Sequence, residues 1–144
     1  MDTHFYRTKQ GLLIGRASAL LNVLCSCAEH FEHFPNDKDA CTKLFQTLFE
    51  LSESAMQTGM KETSEFCLLI IDTFEDTNID ICMKDSTIYA LQQCFVLIDW
   101  QIELFDVLLG RLDLESAEQE RMIKNLQASL NDHNDIFNKS KTHE

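Results

Sequence analysis

The chain has 144 residues, 44% of them hydrophobic, so it is long and apolar enough to bury the core of one domain. Its 24 acidic residues outnumber its 12 basic ones, which gives a formal net charge of −12. An acidic surface repels phosphate backbones and anionic lipid headgroups, so we expect neither nucleic acid nor a membrane as a partner.

The cysteines and the N-terminal sequence bear on localisation. The first ten residues, MDTHFYRTKQ, lack the apolar core of a signal peptide, and we expect no apolar run long enough to span a bilayer. No two cysteines form a C-x-x-C pair, which disfavours a zinc knuckle. The sequence therefore predicts a cytoplasmic protein with reduced thiols. The six cysteines are Cys25, Cys27, Cys41, Cys67, Cys82 and Cys94.

Glycine occurs four times and proline once, which indicates long, uninterrupted helices. The first helix is predicted from near Thr3 to His33. Its apolar face consists of residues at helical spacing: Leu13, Ala17, Leu20, Leu21 and Leu24. Small residues recur every four positions at Gly11, Gly15 and Ala19. We expect another helix to cross closely there, with a homodimer seam as the alternative.

The second helix has recognisable signals at both ends. Asp37 or Asp39 is suited to cap its start, because a carboxylate accepts hydrogen bonds from free backbone N–H groups. Gly59 stands where a left-handed residue closes a helix. Its apolar face is predicted to contain Leu44, Leu48, Leu51 and Ala55, with Phe45 beside them.

Three further helices follow. The third is predicted over Glu62 to Phe74, with Phe66, Leu69, Ile70 and Phe74 facing inward. The fourth begins near Asp85 or Ser86 and ends near Gly110. Its apolar stripe is Ile88, Leu91, Phe95, Ile98, Ile102, Phe105 and Leu109. The fifth opens with Ser116 and Gln119, the spacing of a capping box, and carries Met122, Ile123, Leu126 and Leu130.

Consecutive amphipathic helices without strand alternation predict an all-α, up-down bundle of about five helices. We expect one domain over residues 1–130. Residues 131–144 are polar, and we expect them to form a frayed tail.

Motifs that carry chemistry are scarce. Phosphate-binding glycine loops, the G-x-S-x-G elbow and H-E-x-x-H are all absent from the sequence. Cys25, Glu29, His30 and His33 lie close on one helix, but a single helix presents two or three metal ligands at most. We therefore expect no metal and no cofactor, with zinc or copper at this cluster as the alternative. The aromatic residues Phe95, Trp100 and Phe105 of the fourth helix are expected in the core.

The segment LFQTLFELSESAMQTGM, residues 44–60, resembles the second helix of histidine-containing phosphotransfer (HPt) domains. The closest likeness is to the N-terminal phosphotransfer domain of chemotaxis histidine kinases. Leu44 and Phe45 match the opening of that helix, and the small and apolar positions downstream match as well. The resemblance implies a four-helix HPt-like core and a partner that is a histidine kinase or a response regulator receiver domain.

Three positions depart from the family pattern. Phe49 occupies the position of the phosphorylated histidine, and a phenyl ring has no nucleophilic nitrogen. Ser52 stands in place of a lysine near the phosphoryl group, and Glu53 replaces a glycine that leaves room for the receiver domain. The five histidines of the chain lie outside the second helix. The resemblance therefore implies an HPt-like protein that has lost phosphotransfer and is not an enzyme.

The sequence is compatible with three classes of function. The first is an adaptor that binds a two-component signalling partner through an exposed ridge of Phe49, Ser52, Glu53 and Met56. The second is a helical assembly or chaperone-type accessory protein acting only by protein–protein interaction. The third is an enzyme or metal protein that uses the Cys25–His33 cluster, or an acid and amide pair such as Glu53 and Gln57 that would hydrolyse an acyl phosphate.

Overall fold

The structure, a computed structural model, describes the backbone over residues 2–75, 83–108 and 116–142, and the side chains over 11–75, 83–105 and 117–131. Within these ranges the chain is an all-α bundle, as the amphipathic patterning predicted. Its helices are α1 (Asp2–His33), α2 (Lys38–Thr58), α3 (Lys61–Glu75), α4 (Asp85–Leu108) and α5 (Ser116–Thr142).

The helices pack in a ring around one apolar core. α1 lies against α2 and α4, α2 packs on α3, and α5 closes the ring by contacting both α3 and α4. The short connections after α1 and α2 make sequential helices antiparallel neighbours. The loop after α1 is also tied to the segment before α4, since the Met83 N–H donates to the Pro35 carbonyl oxygen at 2.9 Å.

The two ends of α2 are formed as predicted. Asp37 is the N-cap, and its Oδ1 accepts a hydrogen bond from the Ala40 N–H at 3.2 Å. At the other end Gly59 adopts a φ of 97°, which disfavours any residue with a Cβ atom. The Gly59 and Met60 N–H groups donate to the carbonyls of Met56 and Ala55, which is the Schellman arrangement.

The small-residue stripe of α1 does not make the predicted helix crossing. Ala17, Leu21 and Leu24 are buried on the face that meets the core, whereas Gly11, Gly15 and Ala19 are exposed. A Cβ atom built on either glycine would have no neighbour within 4 Å. The larger side chains decide which side of α1 turns inward, because they bury the most apolar area.

The inward faces of α3 and α4 follow the predicted periodicity with two corrections. Leu69 is 46% exposed and Trp100 is 59% exposed, so neither lies in the core. Thr63 and Gln101 are buried instead, joined by a hydrogen bond of 2.7 Å from Thr63 Oγ1 to Gln101 Oε1. The other inward residues predicted for α3 and the described part of the α4 stripe are buried. Leu109 and Gly110 lie outside the described residues.

In α5 the side chain of Gln119 has a partner on another helix. Its Nε2 donates to the carbonyl oxygen of Glu62 at 3.2 Å, which ties the start of α5 to the first turn of α3. Ile123 and Leu126 are buried, as their spacing predicts. The helix continues to Thr142, beyond the point at which the sequence predicted fraying.

The expectation that no apolar run is long enough to span a bilayer needs correction. The segment Gly11–His33 of α1 is long and apolar enough, by length and composition alone, to cross a membrane, with a mean hydropathy of 1.5. A core helix of a soluble protein and a signal sequence near an N-terminus meet the same criterion. In this bundle one side of the segment contacts α2 and α4.

Candidate partner-binding surface

Two large apolar side chains stand on the outer side of α2. Phe49 is 51% exposed and Met56 is 52% exposed, and Glu53 between them is exposed as well. Their spacing of four and three residues places all three on one side of the helix, over a length of about 10 Å. The predicted exposure of these three residues is confirmed.

Ser52 does not belong to this exposed surface, and its predicted place on the ridge is wrong. Its side chain is 4% exposed and faces α3. Its hydroxyl donates to the Ser64 carbonyl oxygen at 3.1 Å and lies 2.8 Å from Ser64 Oγ. Helical geometry turns position 52 toward α3, so Ser52 holds the two helices together rather than meeting a partner.

α3 adds Leu68 to the same surface. Ser64 and Leu68 are one turn apart, so the side of α3 that bonds to Ser52 also carries Leu68, which is 39% exposed. Phe49 is three residues from Ser52, so its ring and Leu68 border one seam from opposite helices. We call Phe49, Glu53, Met56 and Leu68 the α2–α3 patch.

Sequence reasoning missed Leu68 because it treated α2 alone. A usable signal was present in the tight turn at Gly59, which fixes how α2 and α3 lie side by side. Once position 52 is opposite position 64, position 49 is opposite position 67, next to Leu68. Farther along the seam, the Phe45 and Phe74 rings pack edge to face with centroids 5.4 Å apart.

The α2–α3 patch combines apolar side chains with one carboxylate. Phe49 and Met56 offer apolar area, and Glu53 offers one negative charge. The sequence places no histidine on α2 or α3, so no phosphohistidine can form on either helix. Glu53 and Gln57, the acid and amide pair considered for hydrolysis, are both exposed one turn apart on α2.

In the cluster of Cys25, Glu29, His30 and His33 at the end of α1, the main contact of His30 is with residues outside the cluster. His30 Nε2 lies 2.7 Å from Asp37 Oδ2, and the imidazole stacks on the Phe34 ring with centroids 4.9 Å apart. The hydrogen bond with His30, together with that from the Ala40 N–H, lowers the pKa of the Asp37 carboxyl. Among the described residues, no group of three or more His, Cys, Asp or Glu side chains is placed to hold a metal ion.

The cysteines of the described residues are free thiols, and burial raises the pKa of each. Partial burial, followed by the negative charges of Asp99 and Glu29, raises the pKa of Cys25. Cys27 lines an open cavity of about 520 Å³ between α1 and α2, and burial raises its pKa although Lys43 acts in the opposite sense. A raised pKa keeps a thiol protonated and therefore weakly nucleophilic.

No family model, no curated protein and no solved structure matches this chain.

Proposed function

We propose that this protein is a cytoplasmic, phosphotransfer-inactive, HPt-like adaptor without enzymatic activity. It binds a histidine kinase or a response regulator receiver domain through the α2–α3 patch and modulates signalling without carrying phosphate. The observation that carries this proposal is the half-exposed ring of Phe49 at the position where the resembled family has its phosphorylated histidine. Aromatic side chains at such central positions are frequent anchors of protein interfaces.

The local framework around Phe49 supports the same proposal. The turn at Gly59 leads directly into α3, as in the resembled family, and α3 contributes Leu68 to the exposed apolar area. Exposed apolar side chains that are contiguous, rather than scattered, are typical of interaction sites.

Glu53 adds a condition on the partner. The active site of a receiver domain is acidic around its magnesium ion, and a carboxylate facing it is repelled unless the metal or a basic group offsets the charge. We therefore expect the partner to place a cation opposite Glu53. The variant Glu53→Lys should weaken such a complex, most clearly at low ionic strength.

The loss of phosphotransfer is tested by incubation with a histidine kinase that has been autophosphorylated from radiolabelled ATP, with an active HPt domain as the positive control. We expect the control to become labelled and this protein to remain unlabelled. Stable, acid-labile labelling on any of its histidines would refute the proposal.

The binding surface is tested by calorimetric titration with a purified kinase or receiver domain. Phe49→Ala should weaken binding at least about tenfold, since truncated interface anchors commonly cost that much. The matched control is Leu12→Ala, because Leu12 is 73% exposed on α1 and lies outside the patch. Equal losses for the two variants, or no loss for Phe49→Ala, would contradict this assignment.

A second candidate function is a helical assembly or chaperone-type accessory protein. The observation that favours it is the outer side of α4, where Tyr89, Val96 and Trp100 are more than half exposed. A stable homo-oligomer that buries α4 would support this candidate. Sedimentation equilibrium of the wild type and of Val96→Glu measures it, because a charge at such an interface should dissociate the oligomer.

A further inference from the structure

The outer side of α4 carries a stripe of exposed apolar side chains, interrupted by Gln93, that no described part of the chain covers. Tyr89, Val96 and Trp100 are 62%, 52% and 59% exposed. Tyr89, Gln93, Val96 and Trp100 follow one another at intervals of four, three and four residues. This is the spacing of side chains on a helix that packs along another helix. The stripe extends over about 16 Å of the helix.

The stripe borders a groove between α4 and α5. The groove has a volume of about 450 Å³, and the apolar side chains that line it are Val96, Leu97, Trp100, Leu104 and Met122. Its wall is held in place by Gln101, which lines it and accepts the buried hydrogen bond from Thr63. A groove with an apolar lining suits large apolar side chains presented by a helix.

The charges around the groove are mainly negative. Asp85 and Glu103 are exposed on α4, one turn from Tyr89 and Trp100 respectively, and Glu118 lines the groove from α5. Arg121 is the nearby cation, and its Nη2 lies 3.5 Å from Glu118 Oε1. A second copy of this chain would bring carboxylates against carboxylates, as would an anionic lipid surface, whereas a basic partner would neutralise them.

We propose that the groove between α4 and α5 binds an amphipathic helix of another protein, with large apolar residues along one side and lysine or arginine beside them. The apolar side of that helix covers Tyr89, Val96 and Trp100. Its basic residues pair with Asp85 and Glu103, the exposed carboxylates of α4. This proposal does not depend on the α2–α3 patch.

Trp100 is the sole tryptophan of the chain, so its fluorescence reports directly on the groove. The probe is a synthetic, tryptophan-free helical peptide of about five turns. Its leucines are spaced alternately by three and four residues, so that they form one apolar side of the helix, and its lysines lie on both borders of that side. We expect its addition to shift the Trp100 emission to shorter wavelength, with an affinity that falls as salt is added. The control peptides are a scrambled sequence of the same composition and a version with glutamate in place of lysine.

Variants localise the binding. Val96→Glu should weaken the lysine peptide at least about tenfold, and Glu103→Lys should weaken the lysine peptide while strengthening the glutamate peptide. Leu12→Glu, on α1, and Phe49→Ala, in the α2–α3 patch, should leave both affinities unchanged, so the two surfaces can fail independently. Circular dichroism confirms that each variant is folded.

Several outcomes would overturn this assignment. They are the absence of an emission shift, equal binding of the scrambled or glutamate peptide, and unchanged binding to folded Val96→Glu and Glu103→Lys. Concentration-dependent self-association that Val96→Glu abolishes would mean that the groove is covered by a second copy instead.

Discussion

Truncation of Phe49 tests whether its ring belongs to a binding surface or to the core. Full burial of a phenylalanine side chain stabilises a protein by about 1.5–3 kcal/mol. Phe49 is 51% exposed, so about half of that contribution, or about 1 kcal/mol, should be lost in Phe49→Ala. The adjacent Leu48 is 0% exposed and provides a matched core control on the same helix. Leu48→Ala should cost about 2–5 kcal/mol, because it also leaves a cavity.

The assay is urea denaturation of wild type, Phe49→Ala and Leu48→Ala, followed by far-ultraviolet circular dichroism and extrapolated to water. We expect the three unfolding curves to have equal slopes. The urea concentration at the midpoint should be highest for wild type, lower for Phe49→Ala and lowest for Leu48→Ala. A loss for Phe49→Ala as large as that for Leu48→Ala would mean that the ring supports the core, and the α2–α3 patch would lose its anchor.

Three further predictions concern buried and capping groups. Thr63→Val should cost about 1–3 kcal/mol because it leaves the Gln101 oxygen without its donor, and adding Gln101→Leu should restore most of this loss. A double-mutant cycle measures the coupling, and additive losses would contradict it. Iodoacetamide should label exposed Cys25 in the native protein but reach Cys94 only after unfolding, because full burial of Cys94 blocks the reagent and raises the pKa of this thiol to about 12. Peptide mass mapping decides this, and equal labelling rates would refute it. Asp37→Asn keeps a capping side chain but removes the carboxylate, whose pKa is lowered below its ordinary 3.8. The melting temperature of wild type should therefore exceed that of Asp37→Asn near neutral pH. This difference should shrink as the pH falls below 3.8 toward the pKa of Asp37 in the folded protein. A difference that stays constant with pH would show that the contact between Asp37 and the His30 imidazole contributes nothing.

Helix ends were predictable because their causes are local. Asp37 caps α2 through a backbone amide three residues away, and Gly59 closes it because its φ of 97° disfavours other residues. The exposure of Phe49 and Met56 was also predictable, since a strong apolar face made of Leu44, Leu48 and their helical neighbours turns the opposite side outward.

Other features depended on which helices become neighbours. The small residues of α1 predicted that another helix would cross it closely at their positions. Gly15 is exposed instead, because α2 and α4 pack on the side of α1 that carries the larger side chains. Trp100 was expected in the core with the other aromatic residues of α4. It is exposed because α5 packs on the flank of α4 and leaves the outer side uncovered.

The sequence by itself determined an all-α bundle, the bounds of α2 and the absence of a nucleophilic nitrogen at position 49, since each of these depends on residues within a few turns of one helix. Only the tertiary structure decided that Ser52 is buried against Ser64, that Leu68 joins Phe49 at one surface, and that α4 and α5 form a groove beside Trp100. These features require two helices to lie at a particular distance and rotation, and helical periodicity alone specifies neither.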